Sequence, residues 1–167
     1  MRDYHWKTAA INELSLAFSV KDEELSTAVF RLLQEAADDR HTVNQLRNEL
    51  LSAEAARLAT EAPLWNDARI VRCAFVGRPP EEVRRLALLL AKGHKTIALL
   101  GVSGKQARLF FACTQDLTID MAALLRDTCA TFGGGGGGQP HLAQGGGFPG
   151  DKLNEALDFA YDALARG

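Results

Sequence analysis

The sequence predicts an α+β fold with α/β layering: an N-terminal helical hairpin or coiled-coil arm, then a small sheet packed with helices and carrying a glycine-rich loop. Three observations predict it. From Asp22 to Ala62 there is neither Gly nor Pro, and apolar residues recur at alternating spacings of four and three. Beyond Pro63, β-rich runs alternate with segments of helical period. Nine of the 15 glycines fall between two helix candidates, in the segment from Gly133 to Gly147.

The first helix is expected from Asp3 to Phe18, where Tyr4, Ile11, Leu14 and Phe18 recur on one face. Ser19-Val20-Lys21-Asp22 interrupts it, with Asp22 as N-cap of the next helix and Glu23 and Glu24 suited to its first turn. The following seam runs Leu25, Val29, Leu32, Ala36, Asp39, Val43, Leu46, Leu50, Ala53, Arg57. Asp39 and Arg57 interrupt its apolar character, which favours a hairpin or a modest coiled coil over a uniform zipper. Two readings stay open for this arm, oligomerisation in trans and an intramolecular hairpin. Pro63 ends the helix and sets the domain division at 1–62 and 63–167.

A strand is expected from Ile70 to Val76, stopped by Gly77-Arg78-Pro79-Pro80, and a helix from Pro80 with Val83, Leu86, Ala87 and Leu90 inward. Thr96 to Val102 and Ala107 to Cys113 read as a β-hairpin around Ser103-Gly104-Lys105-Gln106. A helix capped by Asp116 or Thr118 follows to Thr131, with Met121, Leu124, Leu125 and Cys129 inward. The last helix, from about Gly150 to Ala165, turns Leu153, Leu157, Ala160 and Leu164 inward.

Composition narrows the function classes. With 47% hydrophobic and 24% charged residues, the chain is neither disordered nor membrane-spanning, since no apolar run approaches the length a bilayer needs. No secretory h-region opens it. Cys73, Cys113 and Cys129 form no C-x-x-C pair and sit in apolar runs, as buried thiols of a cytoplasmic protein do. The net charge of −2 conceals a partition: residues 69–108 carry nine Lys/Arg against two Asp/Glu, while the segments on either side are acidic. The resulting local positive field attracts polyphosphate.

The glycine segment suggests where such a ligand binds. Side-chain-free residues let successive N–H groups converge on an anion, and a helix N-terminus nearby adds positive potential. A flexible linker would carry Ser or Thr and join two domains, whereas one helix remains beyond this stretch. A dinucleotide fingerprint is rejected because a helix, not a strand, precedes the glycines. Gly101-Val102-Ser103-Gly104-Lys105-Gln106 is not a P-loop, since Leu99 stands at the first Gly position and Gln106 replaces Ser/Thr.

The string from Gly135 to Gly147, with Gln139-Pro140-His141-Leu142-Ala143-Gln144 at its centre, resembles the glycine motif of the DHH-associated domain. That domain ends alanyl-tRNA synthetases and long alanyl-tRNA editing proteins and is related to part of the DHH phosphoesterases. Pro140, Ala143, Gln144, Gly146 and Gly147 match the motif; Gln139 and His141 replace its usual Arg and Asp, and Gly145 a frequent Ala. Arg2-Asp3-Tyr4 resembles the junction that follows an editing domain. The resemblance implies binding of tRNA or other single-stranded or structured nucleic acid, with an arm able to form a homodimer and no membrane contact. The alternatives are a dimerisation module and the substrate-binding half of a phosphoesterase.

The implied contacts are Gly135, Gly136, Gly137, Gly138, Gln139, His141, Gln144, Gly145 and Gly146, with Arg84, Arg85, Lys92, Lys105 and Arg108 on phosphates. Arg69, Arg72, Arg78 and Lys95 complete the basic set, of which about half is expected to take part. No catalytic residue, metal ligand or cofactor is expected: His5, His41, His94 and His141 are scattered, and the family's zinc ligands, which belong to an upstream editing domain, do not occur.

Overall fold

The computed structural model describes residues 2–166, and the side chains of residues 2–5 lie outside that description. The junction-like Arg2-Asp3-Tyr4, His5 and the inward face assigned to Tyr4 therefore lie outside the described side chains. The chain forms two compact units, residues 1–48 and 49–167. The expected division after Ala62 falls inside the second.

The first unit holds helix α1 (Arg2–Phe18), a 3-10 turn (Asp22–Glu24) and the start of helix α2 (Leu25–Glu61). Asp22 is not an N-cap: it lies inside the 3-10 turn, and its carboxylate accepts a 2.6 Å hydrogen bond from the Ser15 hydroxyl. Asp39 and Arg57 do not break α2, which runs through both for 37 residues. Each sits at an exposed position, where a charge costs a helix little. Much of the expected seam is open to solvent, Leu46 being 54% and Leu50 71% exposed, with Phe30 beside it at 71%.

The second unit is a sheet of six strands in the order β1-β2-β3-β4-β6-β5. Strand β2 (Ala68–Val76) runs parallel to β3 (Thr96–Ser103), and α3 (Pro80–Leu90) makes the crossover between them. β3 returns as β4 (Gln106–Cys113) in the expected hairpin. α4 (Met121–Thr131) and α5 (Leu153–Arg166) cover one face. There Ile70, Ile97, Leu99, Leu109 and Phe111 meet Met121, Leu125, Leu153 and Leu157. The opposite pleats, with Val71, Ala98, Leu100 and Phe110, lie under Val83, Leu86 and Leu90 of α3 and under Ala55 and Leu58 of α2. Alternation of side chains across each strand gives the sheet two apolar faces.

Several expectations shift. A short strand β1 (Leu64–Trp65) pairs antiparallel with β2 through Asn66 and Asp67, both at positive φ, the backbone of a two-residue hairpin turn. Asp120, rather than Asp116 or Thr118, caps α4, its carboxylate accepting from the N–H groups of Ala122 and Ala123 at 2.9 Å each. Asp116 accepts instead from the Thr114 hydroxyl and from Lys95 N–H. Leu124 is only partly buried. A 3-10 turn (Gly150–Lys152) precedes α5.

The principal correction concerns the glycines. Beyond Gly133 and Gly134 they lie not in a loop but in two antiparallel strands, β5 (Gly135–Gln139) and β6 (Leu142–Pro149), joined by the two-residue turn Pro140-His141. Glycine is entropically costly in a strand, so something must require it. The requirement is close approach. A Cβ on Gly136 would stand 2.6 Å from Leu125 Cδ2, and one on Gly145 would stand 2.8 Å from the same atom and 2.9 Å from Cys129 Sγ. α4 thus packs directly on strand backbone. Gly101, in the P-loop-like string, serves α5 in the same way, because a Cβ there would lie 2.4 Å from Leu153 Cδ1.

Candidate nucleic-acid interface

On the α3 side of the sheet, α3 packs over β3 and β4, and of β6 and β5 only Leu142 joins that core among the described residues. A cleft of about 400 Å³ opens there. Alternation along β4 aims Gln106, Arg108 and Phe110 into it. Opposite them, Gln144 is the partner of Phe110, and Gly146 that of Arg108. Gly135, Gly136, Gly145 and Gly147 complete the floor, and Glu81, in the first turn of α3, stands on the wall. A Cβ on Gly135 or Gly137 would meet nothing within 4 Å. The glycines of β5 therefore alternate: Gly136 faces α4, while Gly135 and Gly137 present bare backbone to the open side.

The cleft side chains Glu81, Gln106, Arg108 and Gln144 have no ion pair or side-chain hydrogen bond within the protein, among the described residues. Such uncommitted polar groups around a side-chain-free floor can grip a planar or anionic guest by hydrogen bonds. β5 is also the sheet edge. In a hairpin closed by a two-residue turn, Gln139, Gly137 and Gly135 bond to β6, so the N–H groups of Gly136 and Gly138 point away from the sheet.

Of the expected site residues, the structure brings together Gly135, Gly136, Gln144, Gly145, Gly146 and Arg108. Gly138, Gln139 and His141 lie toward the turn, at the other end of the hairpin, and Gly137 lies between, paired with Gln144. His141 is held there: its carbonyl accepts from Cys113 N–H at 3.0 Å, the Pro140 carbonyl accepts from Met121 N–H at 2.8 Å, and its Nδ1 lies 3.6 Å from Cys113 Sγ. Burial pushes the Cys113 thiol up to about 11, with Asp116 and Asp120 adding to the effect. It is an inert core thiol.

The basic segment divides in two. Arg69 donates to the carbonyls of Thr60 and Ala62 and closes the end of α2. Arg72 pairs with Asp158, and Lys95 with Asp67. Arg78 donates to both carboxylate oxygens of Glu54 at 2.7 Å, reaches Glu82 at 3.4 Å and lies 4.9 Å over the Phe75 ring. These four serve the fold. Arg84, Arg85, Lys92, Lys105 and Arg108 form no ion pair among the described residues. Arg84 and Arg85 follow Glu81 by three and four positions, on its side of α3, and Lys105 adjoins Gln106. Lys92 lies past the far end of α3.

Four lining residues escaped sequence reasoning: Glu81, Gln106, Phe110 and Gly147. Period-two alternation through Arg108 would have found Gln106 and Phe110. Gly147 lay inside the motif. Glu81 had no signal, because only the crossover of α3 brings it to β4.

A family model described as the DHHA1 domain matches residues 71–166. The chain is 30% identical over 166 residues to an alanine–tRNA ligase of Trichodesmium erythraeum, and the match covers 96% of this chain and 19% of the ligase. It is 29% identical over 164 residues to the ligase of Synechococcus sp. strain JA-3-3Ab, covering 95% and 19%. The chain thus spans about a fifth of the length of these curated relatives. Among solved structures, the C-Ala domain of Aquifex aeolicus alanyl-tRNA synthetase superposes with a TM-score of 0.57 at 26% identity, over 63% of this chain and 98% of that one.

Proposed function

We propose, from the premise that this chain belongs to the DHHA1 domain family, that it is a nucleic-acid-binding module whose ligand is tRNA. The observation that carries this reading is the bare glycine floor lined by uncommitted polar groups, Arg108 among them; Arg84 and Arg85 follow Glu81 on α3, and Lys105 adjoins Gln106. Phosphates meet Arg84, Arg85 and Lys105 while the strand lies along the glycines. Lys92 and the hairpin turn with Gln139 and His141 contribute outer contacts. The parent protein is then an alanyl-tRNA synthetase-like or alanyl-tRNA editing protein of the cytoplasm, and any zinc belongs to an editing domain outside these 167 residues.

The test is a gel-shift titration with tRNA in stepped salt. With three to five phosphate contacts, log K should fall against log salt with a slope of about −2 to −4. The R84A/R85A pair should flatten that slope by about 1 to 2. A slope near zero, or no shift at low salt, overturns the proposal.

A second reading rests on the exposed apolar residues of the arm, Phe30, Leu33, Val43 and Leu46 among them. A solvated helix does not ordinarily keep so many, and a second copy of the arm would cover them. Sedimentation should show a dimer that V43K/L46E converts to monomer. A wild-type monomer at all concentrations rejects this reading.

A further inference from the structure

The cleft suits a phosphate poorly at one point: Glu81 adds a carboxylate to a lining whose single cation is Arg108. A carboxylate that would repel phosphate needs a guest offering hydrogen-bond donors. The remaining groups are the amides of Gln106 and Gln144, which can donate or accept, the Phe110 ring, and a floor of glycine backbone that includes Gly135 and Gly146. A planar heteroaromatic ring fits that floor, and a volume of about 400 Å³ lies in the range of small-molecule pockets.

We propose that this cleft reads a guanine base. The inference rests on the nucleic-acid reading above and names the part of the ligand the cleft holds. Guanine carries two adjacent donors, N1–H and the N2 amino group, on one edge and two acceptors, O6 and N7, on the next. The two oxygens of Glu81 match the first pair, and the guanidinium of Arg108 matches the second. Adenine sets its N1 acceptor against the carboxylate, cytosine its N3, and uracil offers a single donor between two carbonyls. Arg84, Arg85 and Lys105 stand outside the cleft, where the phosphates flanking the base would run.

Equilibrium binding to the full chain tests this with guanosine, inosine and adenosine 5′-monophosphates, and with single-stranded RNAs that differ by one guanine or adenine. Guanine should be preferred over adenine, and over hypoxanthine, which lacks the N2 amino group, by on the order of tenfold. E81Q should abolish that preference while tRNA binding persists, and its unchanged thermal unfolding would show an intact fold. A preference in the mononucleotide arm identifies a free nucleotide as sufficient, and one confined to the RNA arm places the base in a strand; both support the inference. No preference in either arm, or a preference that survives E81Q, overturns it. If tRNA still binds with a steep salt dependence, the proposed function stands without it; if no RNA binds, that function falls as well.

Discussion

At the residue scale, adjacent glycines of one strand do opposite work. Ala at Gly136 would drive its methyl into Leu125 and into the backbone of Gly145 and Gln144, all within 2.8 Å. G136A should therefore destabilise the protein by about 1–3 kcal/mol, read from urea unfolding. At Gly137 the methyl enters open space and φ is not positive, so G137A should stay within about 0.5 kcal/mol of wild type. If G135A, equally open, is stable yet weakens RNA binding, the bare floor is functional. Cys113 and Cys129 are buried, and burial raises both thiols. A thiol reagent at neutral pH should modify them only at the rate of unfolding.

At the element scale, a clamp ties the end of α2 to the β2–α3 connection. Glu54 and Arg78 are only 25% and 20% exposed and meet through two 2.7 Å hydrogen bonds. The Arg78 hydrogen bonds hold the Glu54 carboxyl below its ordinary 4.5, against the opposing effect of burial. A depressed carboxyl stabilises the fold above its unfolded value and loses that contribution as pH falls through the folded one. E54Q should thus cost about 1–2 kcal/mol at pH 7, and the gap to wild type should close as the solution is acidified below about 4.5. A gap independent of pH would mean that packing, not charge, holds the clamp. At the start of α4, D120A removes both cap bonds and should cost about 1 kcal/mol in thermal or urea unfolding.

At the scale of the molecule, charge is sorted by use. A net charge of −2 hides a basic segment, residues 69–108, whose cations without an ion pair among the described residues lie on α3 and just past it, in the β3–β4 turn and on β4. Those consumed by the fold, Arg69, Arg72, Arg78 and Lys95, lie on β2 and in loops. Substituting the first set should lower RNA affinity at little cost in stability. R78A should do the reverse, because it leaves Glu54 half-buried without its partner. Comparing Kd and urea midpoints for R85A and R78A separates the two sets.

The sequence by itself determined the elements whose signals are local. Apolar β-forming runs bounded by turn residues specify β2 to β4, and helical spacing specifies α3 and α5, because both signals are local. The order and spacing of Pro140, Ala143, Gln144 and the glycines carried the resemblance to the DHH-associated domain. Tertiary structure alone decided that the glycines are strands, since glycine has no β signal of its own and only Leu125 and Cys129 packed against it explain its presence. It likewise gave four cations to carboxylates or carbonyls and brought Glu81 to the wall of the cleft. Each of these depends on contacts distant in sequence, which no local pattern encodes.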